Sequence, residues 1–229
     1  MGYGQLRLCN VYYDVPVNTN NAHLLLSEYC GGKPADLVFV MDSSGSIGAA
    51  DFRRQKHFIK GMVDLFETDT GKIRVGVVAY SNWAFLEFHL NAYTNRRDIK
   101  ARIDQVPHFR GDTNTGSAIA YVRDVMFSEH NGARDGVPRI GIVLTDGRSN
   151  DPVFTMQEAV KTHAQDIVLM ALGVGDDISR YELTSIASDP DDEFAFQVAD
   201  YTALEYIKDM LAIKACEGTY VRTLAVAAP

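Results

Sequence analysis

The sequence predicts an α/β domain with a doubly wound, mostly parallel six-stranded sheet, one antiparallel edge strand and helices on both faces. Four runs are nearly all apolar and β-branched, as expected for strands covered on both faces: 36–42, 72–80, 138–145 and 166–174. Amphipathic stretches of helical spacing alternate with them: 51–67, 95–105, 114–130, 155–165, 179–187 and 201–215. Segment 83–90 suits an antiparallel edge strand, and 194–198 suits a last short strand.

This order of elements also predicts where a ligand binds. Right-handed crossovers wind the chain one way from the first strand and then return it to the other side. In the resulting order 3-2-1-4-5-6, with 83–90 as strand three, the first and fourth strands are neighbours, and ligands bind beyond their carboxyl ends. Asp42 ends the first strand and Asp146 ends the fourth. The two carboxylates are therefore predicted to face one crevice.

Length and composition point to one globular domain. The 229 residues are 46% hydrophobic and 23% charged, which leaves little room for extensive disorder. We expect a lead-in segment over 1–34, the domain over 35–216 and a C-terminal tail over 217–229.

The charge pattern excludes some classes of partner. A net charge of −8 without clustered Lys or Arg disfavours nucleic acid. No apolar run is long enough to span a membrane. The start of the chain does not resemble a signal segment, which fits either a processed precursor or a cytosolic chain.

Two loops carry candidate metal ligands. Asp42-Ser43-Ser44-Gly45-Ser46 places one carboxylate and hydroxyl groups at the end of the first strand, a set of hard oxygen donors suited to a divalent cation. The same residues are also ordinary turn formers, but the position of Asp146 favours the metal site. In Gly111-Asp112-Thr113-Asn114-Thr115-Gly116, Thr113 can offer a further hydroxyl, whereas Thr113 or Thr115 can instead cap the following helix.

Together with Thr145-Asp146-Gly147, these loops resemble the three motif loops of the von Willebrand factor type A domain family, over about residues 36 to 215. The resemblance implies a metal-ion-dependent adhesion site. Ser44, Ser46 and Thr113 would bind the ion directly, with Asp42 and Asp146 acting directly or through water. Mg²⁺ is favoured, with Ca²⁺ or Mn²⁺ as alternatives. The family usually carries Gly where this chain has Asp112.

The resemblance further implies a secreted adhesion module rather than an enzyme. The flanking cysteines resemble the extracellular-matrix branch, as in matrilins, non-fibrillar collagens and invertebrate matrix proteins. A partner carboxylate would fill the open position on the ion. Candidate partners are an extracellular matrix protein such as collagen, a polysaccharide or a second copy of the chain. The alternative is a structural matrix-assembly module whose metal site is stabilising or vestigial.

Other functional patterns are weaker. The second Asp of an aspartate-dependent phosphohydrolase is replaced by Ser44, and six scattered histidines show no zinc-ligand spacing. Arg110-Gly111-Asp112 spells a tripeptide that some cell receptors bind, but it lies inside the predicted metal loop. No catalytic or organic-cofactor residues are therefore predicted.

The three cysteines leave several arrangements open. Cys30 precedes the first core strand and Cys216 follows the last predicted helix, so a disulfide between them would join the two ends of the domain. The disulfide is favoured, and the alternative is that both cysteines are reduced. Cys9 is then free, competes for Cys30, or links the chain to another copy as an oligomer.

Overall fold

We analysed a computed structural model, which describes residues 4–8, 11–15 and 33–225, with side-chain surroundings described for 33–215. The strands are β1 (Gly4–Leu8), β2 (Val11–Val15), β3 (Ala35–Asp42), β4 (Ile73–Tyr80), β5 (Ala84–Phe88), β6 (Arg139–Thr145), β7 (Ile167–Val174) and β8 (Ala195–Val198). The α-helices are α1 (Ala49–Leu65), α2 (Arg96–Asp104), α3 (Thr115–Tyr121), α4 (Pro152–His163), α5 (Arg180–Ile186), α6 (Asp191–Phe194) and α7 (Leu204–Ala225). Helix α3 continues as a π-helical turn over Val122–Met126, and a 3₁₀ turn follows at Glu129–Asn131.

The six-stranded sheet has the order β5-β4-β3-β6-β7-β8, which confirms the predicted 3-2-1-4-5-6 topology. All neighbouring strands are parallel except β4 and β5, which are antiparallel. Strand β3 lies between β4 and β6, so Met41 pairs with Ala79 on one side and Leu144 on the other. The carboxyl ends of β3 and β6 are therefore side by side.

Burial explains why these segments form the central strands. All eight residues of β3 and all eight of β7 are buried. Helices pack on both faces of a sheet of this kind, so apolar side chains pointing either way leave water. Phe39, Phe58 and Phe196 are among the largest fully buried side chains of the core.

The structure departs from the predicted elements mainly at the two ends of the chain. Strands β1 and β2 form an antiparallel hairpin in a segment for which the sequence predicted no regular structure. The last helix continues to Ala225, although its apolar spacing predicted an end at residue 215. Helix α6 forms within an acidic loop, where a single turn leaves no periodic pattern to detect.

Several predictions lie outside the described residues. Cys9 and Cys30 are not described, and the surroundings of the Cys216 side chain are not described either. The Cys30–Cys216 disulfide and an oligomer through Cys9 therefore stay predictions. Among the described residues, no helix is both long and apolar enough to cross a bilayer.

Candidate metal site

The carboxylate of Asp42 lies fully buried where β3 ends. Its Oδ1 accepts a hydrogen bond from the backbone N–H of Ser44 at 2.8 Å, which closes the turn after the strand. Its Oδ2 accepts from the Thr145 hydroxyl at 3.0 Å and lies 3.4 Å from the Tyr80 hydroxyl. Every one of these donors is neutral, and they come from the ends of β3, β4 and β6.

Two serine hydroxyls connect the turn after β3 to Asp146, which follows the neighbouring strand β6. The Ser46 hydroxyl donates to Asp146 Oδ1 at 2.7 Å, across 100 residues of sequence. The Oγ atoms of Ser44 and Ser46 are 3.0 Å apart. Since Ser46 uses its only proton on Asp146, Ser44 is the donor in the second bond. The structure thus brings Asp42, Ser44, Ser46 and Asp146 together in one polar cluster, which we call the crevice.

The loop that carries Thr113 is fastened to the turn after β3 by backbone hydrogen bonds. The N–H of Gly45 donates to the carbonyl of Gly111 at 2.8 Å, and the N–H of Arg110 donates to the carbonyl of Ser43 at 2.7 Å. Gly111 has a φ of 105°, and a Cβ there would meet Asn82 Oδ1 at 1.9 Å. Glycine therefore suits this position, because its φ is one that other residues rarely adopt and the Asn82 side chain occupies the space of a Cβ.

The backbone of Thr113 is also tied to the loop after Asp146. Its N–H donates to Asn150 Oδ1 at 3.2 Å, and the N–H of Asn150 donates back to its carbonyl at 2.9 Å. Thr113 is only 9% exposed. The cap of α3 is Asn114, whose side chain accepts from the Ser117 N–H, so neither Thr113 nor Thr115 caps this helix as the sequence had suggested. Asn competes well for this position because its short side chain reaches the N3 amide.

Sequence reasoning did not assign three residues that hold the loops. Asn82 accepts from the Asp112 N–H at 2.9 Å and donates to its carboxylate at 3.3 Å. The ring of His108 lies 3.1 Å from the Ser44 carbonyl and stacks on Phe52. Asn150 is the third. None carries a motif signal, because each acts across loops that are distant in sequence.

The aromatic residues that follow Asn82 differ in how far they are packed. Trp83 and Phe85 follow Asn82 along the chain. Phe85 stacks on Phe109, with ring centroids 3.7 Å apart. Trp83 is 67% exposed, because it lies in the tight turn between β4 and β5 rather than in the strand.

The electrostatics of the crevice favour an external cation. Burial raises the pKa of Asp42 to about 6, against the lowering effect of the Ser44 hydrogen bonds, and Asp146 raises it further. Burial likewise raises the pKa of Asp146. Among the described residues, no Lys, Arg or His forms an ion pair with either carboxylate. A bound divalent ion would supply the positive charge that the protein does not.

The donor set fits a hard cation. Across the described residues, no group of three or more His, Cys, Asp or Glu side chains could hold a metal. The crevice differs from such groups because it combines two carboxylates with neutral hydroxyls. Oxygen-only sites of this composition suit Mg²⁺ or Mn²⁺, which keep waters on the remaining positions.

The fold and these loops define an α/β domain of the kind that carries a ligand site at the carboxyl edge of its sheet. A sequence profile of the von Willebrand factor type A domain matches residues 36–210. The chain belongs to this family.

Relatives within the family are proteins of the extracellular matrix. The chain is 38% identical over 185 residues to matrilin-1 of Gallus gallus, covering 81% of this chain and 37% of that protein. It is 34% identical over 207 residues to the collagen alpha-1(XXI) chain of Xenopus laevis, covering 90% of this chain and 21% of that protein. The chain thus spans well under half of these relatives, and it belongs, as predicted, to the secreted, extracellular-matrix branch of the family.

A solved structure supports the same assignment. Proximal thread matrix protein 1 (PTMP1) from the mussel byssus aligns with a TM-score of 0.76 and 28% identity, covering 80% of this chain and 48% of that chain. Another PTMP1 structure, at 27% identity and the same TM-score of 0.76, has zinc in its metal-ion-dependent adhesion site (MIDAS) motif.

Proposed function

We propose that this domain is a divalent-cation-dependent adhesion module of the extracellular matrix. Ser44, Ser46 and Thr113 would bind the ion, and Asp42 and Asp146 would act directly or through water. The observation that carries the proposal is the Ser46–Asp146 hydrogen bond of 2.7 Å, which joins two motif loops 100 residues apart. When bound, the ion supplies a Lewis-acidic position that a partner carboxylate can fill.

The donor types support Mg²⁺ as the resident ion. Hydroxyl and carboxylate oxygens are hard ligands, whereas zinc sites in proteins more often use thiolate and imidazole. The zinc-occupied site of PTMP1 shows that a related domain accepts zinc. We therefore propose Mg²⁺ for this chain, with Mn²⁺ or Ca²⁺ as alternatives and Zn²⁺ as a test ion.

A calorimetric titration tests the ion site. We expect Mg²⁺ and Mn²⁺ to bind the parent with one ion per chain and Asp42→Ala to show no detectable binding. Asp135→Ala is the matched control, because Asp135 is an exposed carboxylate in the loop before β6, at the opposite edge of the sheet. Unchanged binding in Asp42→Ala, or no binding by the parent, would refute the metal site.

The relatives support a matrix protein as partner. Matrilins and collagens are the proteins that this chain matches, and collagen is one candidate. We expect the immobilised domain to retain a component of a matrix extract in Mg²⁺, to release it in EDTA and to retain it again when Mg²⁺ is restored. Blocking the carboxyl groups of the extract with a carbodiimide and glycinamide should abolish retention. Retention that survives this treatment would contradict recognition through a carboxylate.

A second candidate is a structural assembly module in which the ion only stabilises the loops. The observation that favours it is the hydrogen bonding of Ser44, Ser46 and Asp146 to one another, which already partly satisfies the crevice. In that case partner binding would persist in EDTA while thermal stability fell. No catalytic activity is proposed for either candidate.

A further inference from the structure

Asn150 joins the Thr113 loop to the loop after Asp146 through two hydrogen bonds in opposite directions, one from its side chain and one from its backbone. The amide oxygen accepts from the Thr113 N–H at 3.2 Å, and the Asn150 N–H donates to the Thr113 carbonyl at 2.9 Å. The two residues are 37 positions apart. The paired bonds hold the Thr113 peptide against Asn150, four residues beyond Asp146.

The residues on either side of Asn150 are themselves anchored. The Ser149 N–H donates to Glu182 Oε1 at 2.8 Å, and Glu182 is a buried residue of α5. The Ser149 hydroxyl accepts from Thr155 at 2.8 Å. Asp151 caps α4 by accepting from the Phe154 N–H at 2.9 Å. Asn150 therefore projects from a rigid segment, although its own side chain is exposed.

Thr113, by contrast, lies in a segment whose backbone is less constrained by secondary structure. It follows Arg110 and Gly111, both with positive φ, and precedes the first turn of α3. A neutral hydroxyl binds a cation more weakly than a carboxylate does, so its contribution depends on accurate placement. Outer residues that hold metal ligands commonly change affinity by about 10- to 100-fold when they are removed.

We propose that Asn150 is a positioning residue that holds Thr113 in reach of the ion. This inference rests on the proposed metal site, and it assigns a role to a residue outside the motif. Removing the amide would free the Thr113 peptide on one side, so the Thr113 hydroxyl would be held less well for the ion and water could take its place. The backbone bond from Asn150 to Thr113 does not depend on the side chain, so we expect Asn150→Ala to keep its fold.

Three variants test the proposal with Mn²⁺ as the probe. We expect Asn150→Ala to bind Mn²⁺ about 10-fold more weakly than the parent. Water-proton relaxation should also report about one additional water on the bound ion. Asn150→Asp keeps the acceptor for the Thr113 N–H and adds a negative charge near the site, so it should bind Mn²⁺ at least as tightly as the parent, with no additional water on the ion. Asn91→Ala, which removes an exposed amide that donates to the His130 carbonyl, is the matched control and should change neither the affinity nor the hydration of the ion.

The outcomes separate this inference from the proposed function. A parent that binds no Mn²⁺ refutes the metal site itself. If the parent binds and Thr113→Ala is weakened, but Asn150→Ala matches the parent, then the positioning role is wrong and the metal site stands. Weaker binding by Asn150→Ala without an added water also overturns the proposal, because it indicates general loosening of the site. Thermal unfolding without metal confirms that each variant is folded.

Discussion

Strand β3 begins and ends near buried aspartates that are stabilised in opposite ways. Asp36 and Asp42 are both 0% exposed. At the amino edge, the Arg134 side chain and N–H contact both Asp36 oxygens, with Nε–Oδ1 at 2.8 Å and N–Oδ2 at 2.7 Å. At the carboxyl edge, Asp42 has only neutral donors, and Asp146 adds a second negative charge.

The difference teaches how one strand serves both stability and binding. Burying a carboxylate is costly unless a positive charge and hydrogen bonds accompany it. The chain supplies that charge to Asp36 from its own sequence. For Asp42 it supplies neutral donor groups, and under the proposed function a bound ion would supply the charge. The amino edge is therefore complete in itself, whereas the carboxyl edge would be completed by an ion.

The largest expected effect on stability comes from removing the charge partner of Asp36 at the amino edge. Arg134→Met leaves Asp36 buried without a charge partner and should cost about 3–5 kcal/mol of unfolding free energy. Arg134 also donates to the carbonyls of Ala35 and Lys72, so some of this loss comes from those bonds. Urea unfolding in EDTA measures the change. The double variant Asp36→Asn, Arg134→Met should recover part of it, and no recovery would show that the charge of Asp36 is unimportant.

The second expected effect is a pH dependence of stability that comes from Asp42 at the carboxyl edge. The pKa of Asp42 is raised from 3.8 to about 6 in the folded domain, so the folded state holds this proton more tightly than the unfolded state. The stability that protonation provides is present below about pH 4 and is lost as pH rises through about 6. The loss is on the order of 3 kcal/mol.

Asp42→Asn isolates that contribution, because the neutral amide removes the titration. The metal-free parent should lose stability relative to Asp42→Asn as the pH rises from about 4 to about 7. Urea unfolding in parallel at several pH values measures the difference, which cancels the titration of other groups. A constant difference would mean that Asp42 is not perturbed by burial.

The third expected effect is the gain in unfolding free energy when Mg²⁺ is added. At a Mg²⁺ concentration about a hundredfold above Kd, the unfolding free energy of the parent should rise by about 2.7 kcal/mol. Arg134→Met should show the same gain because its defect lies at the other edge, and Asp42→Ala should show none. Thermal unfolding with and without Mg²⁺ gives both comparisons. A reduced gain in Arg134→Met would show that the two edges are coupled through β3.

The carboxyl edge could be predicted from sequence to a large extent because its strands and motif loops are local patterns. Runs that are nearly all apolar predicted β3 and β6, and the topology rules then placed Asp42 beside Asp146. The motif also identified Ser44 and Ser46, which the structure places within 3.0 Å of each other.

The contacts that complete both edges could not be predicted in this way. Asn150 with Thr113, Asn82 with Asp112, and Arg134 with Asp36 join residues 37, 30 and 98 positions apart. The first two depend on the conformations of two irregular loops, and the third joins a loop residue to a residue of β3. A polar residue in a loop has no periodicity that reveals its partner. The β1–β2 hairpin escaped prediction for a different reason, because two short strands give only a weak alternating pattern.

The smallest expected effect comes from two matched helix caps, one at each edge of the sheet. Asn95 caps α2 by accepting from the Asp98 N–H at 2.9 Å, and Asn114 caps α3 by accepting from the Ser117 N–H at 3.2 Å. Replacing either by Ala should cost about 1 kcal/mol in unfolding free energy. Asn114 also donates to the Asn82 carbonyl and is adjacent to Thr113. Only Asn114→Ala should therefore weaken Mg²⁺ binding in a calorimetric titration. Equal weakening by Asn95→Ala would mean that general stability, rather than the local geometry of the Thr113 loop, determines how well the carboxyl edge holds its ion.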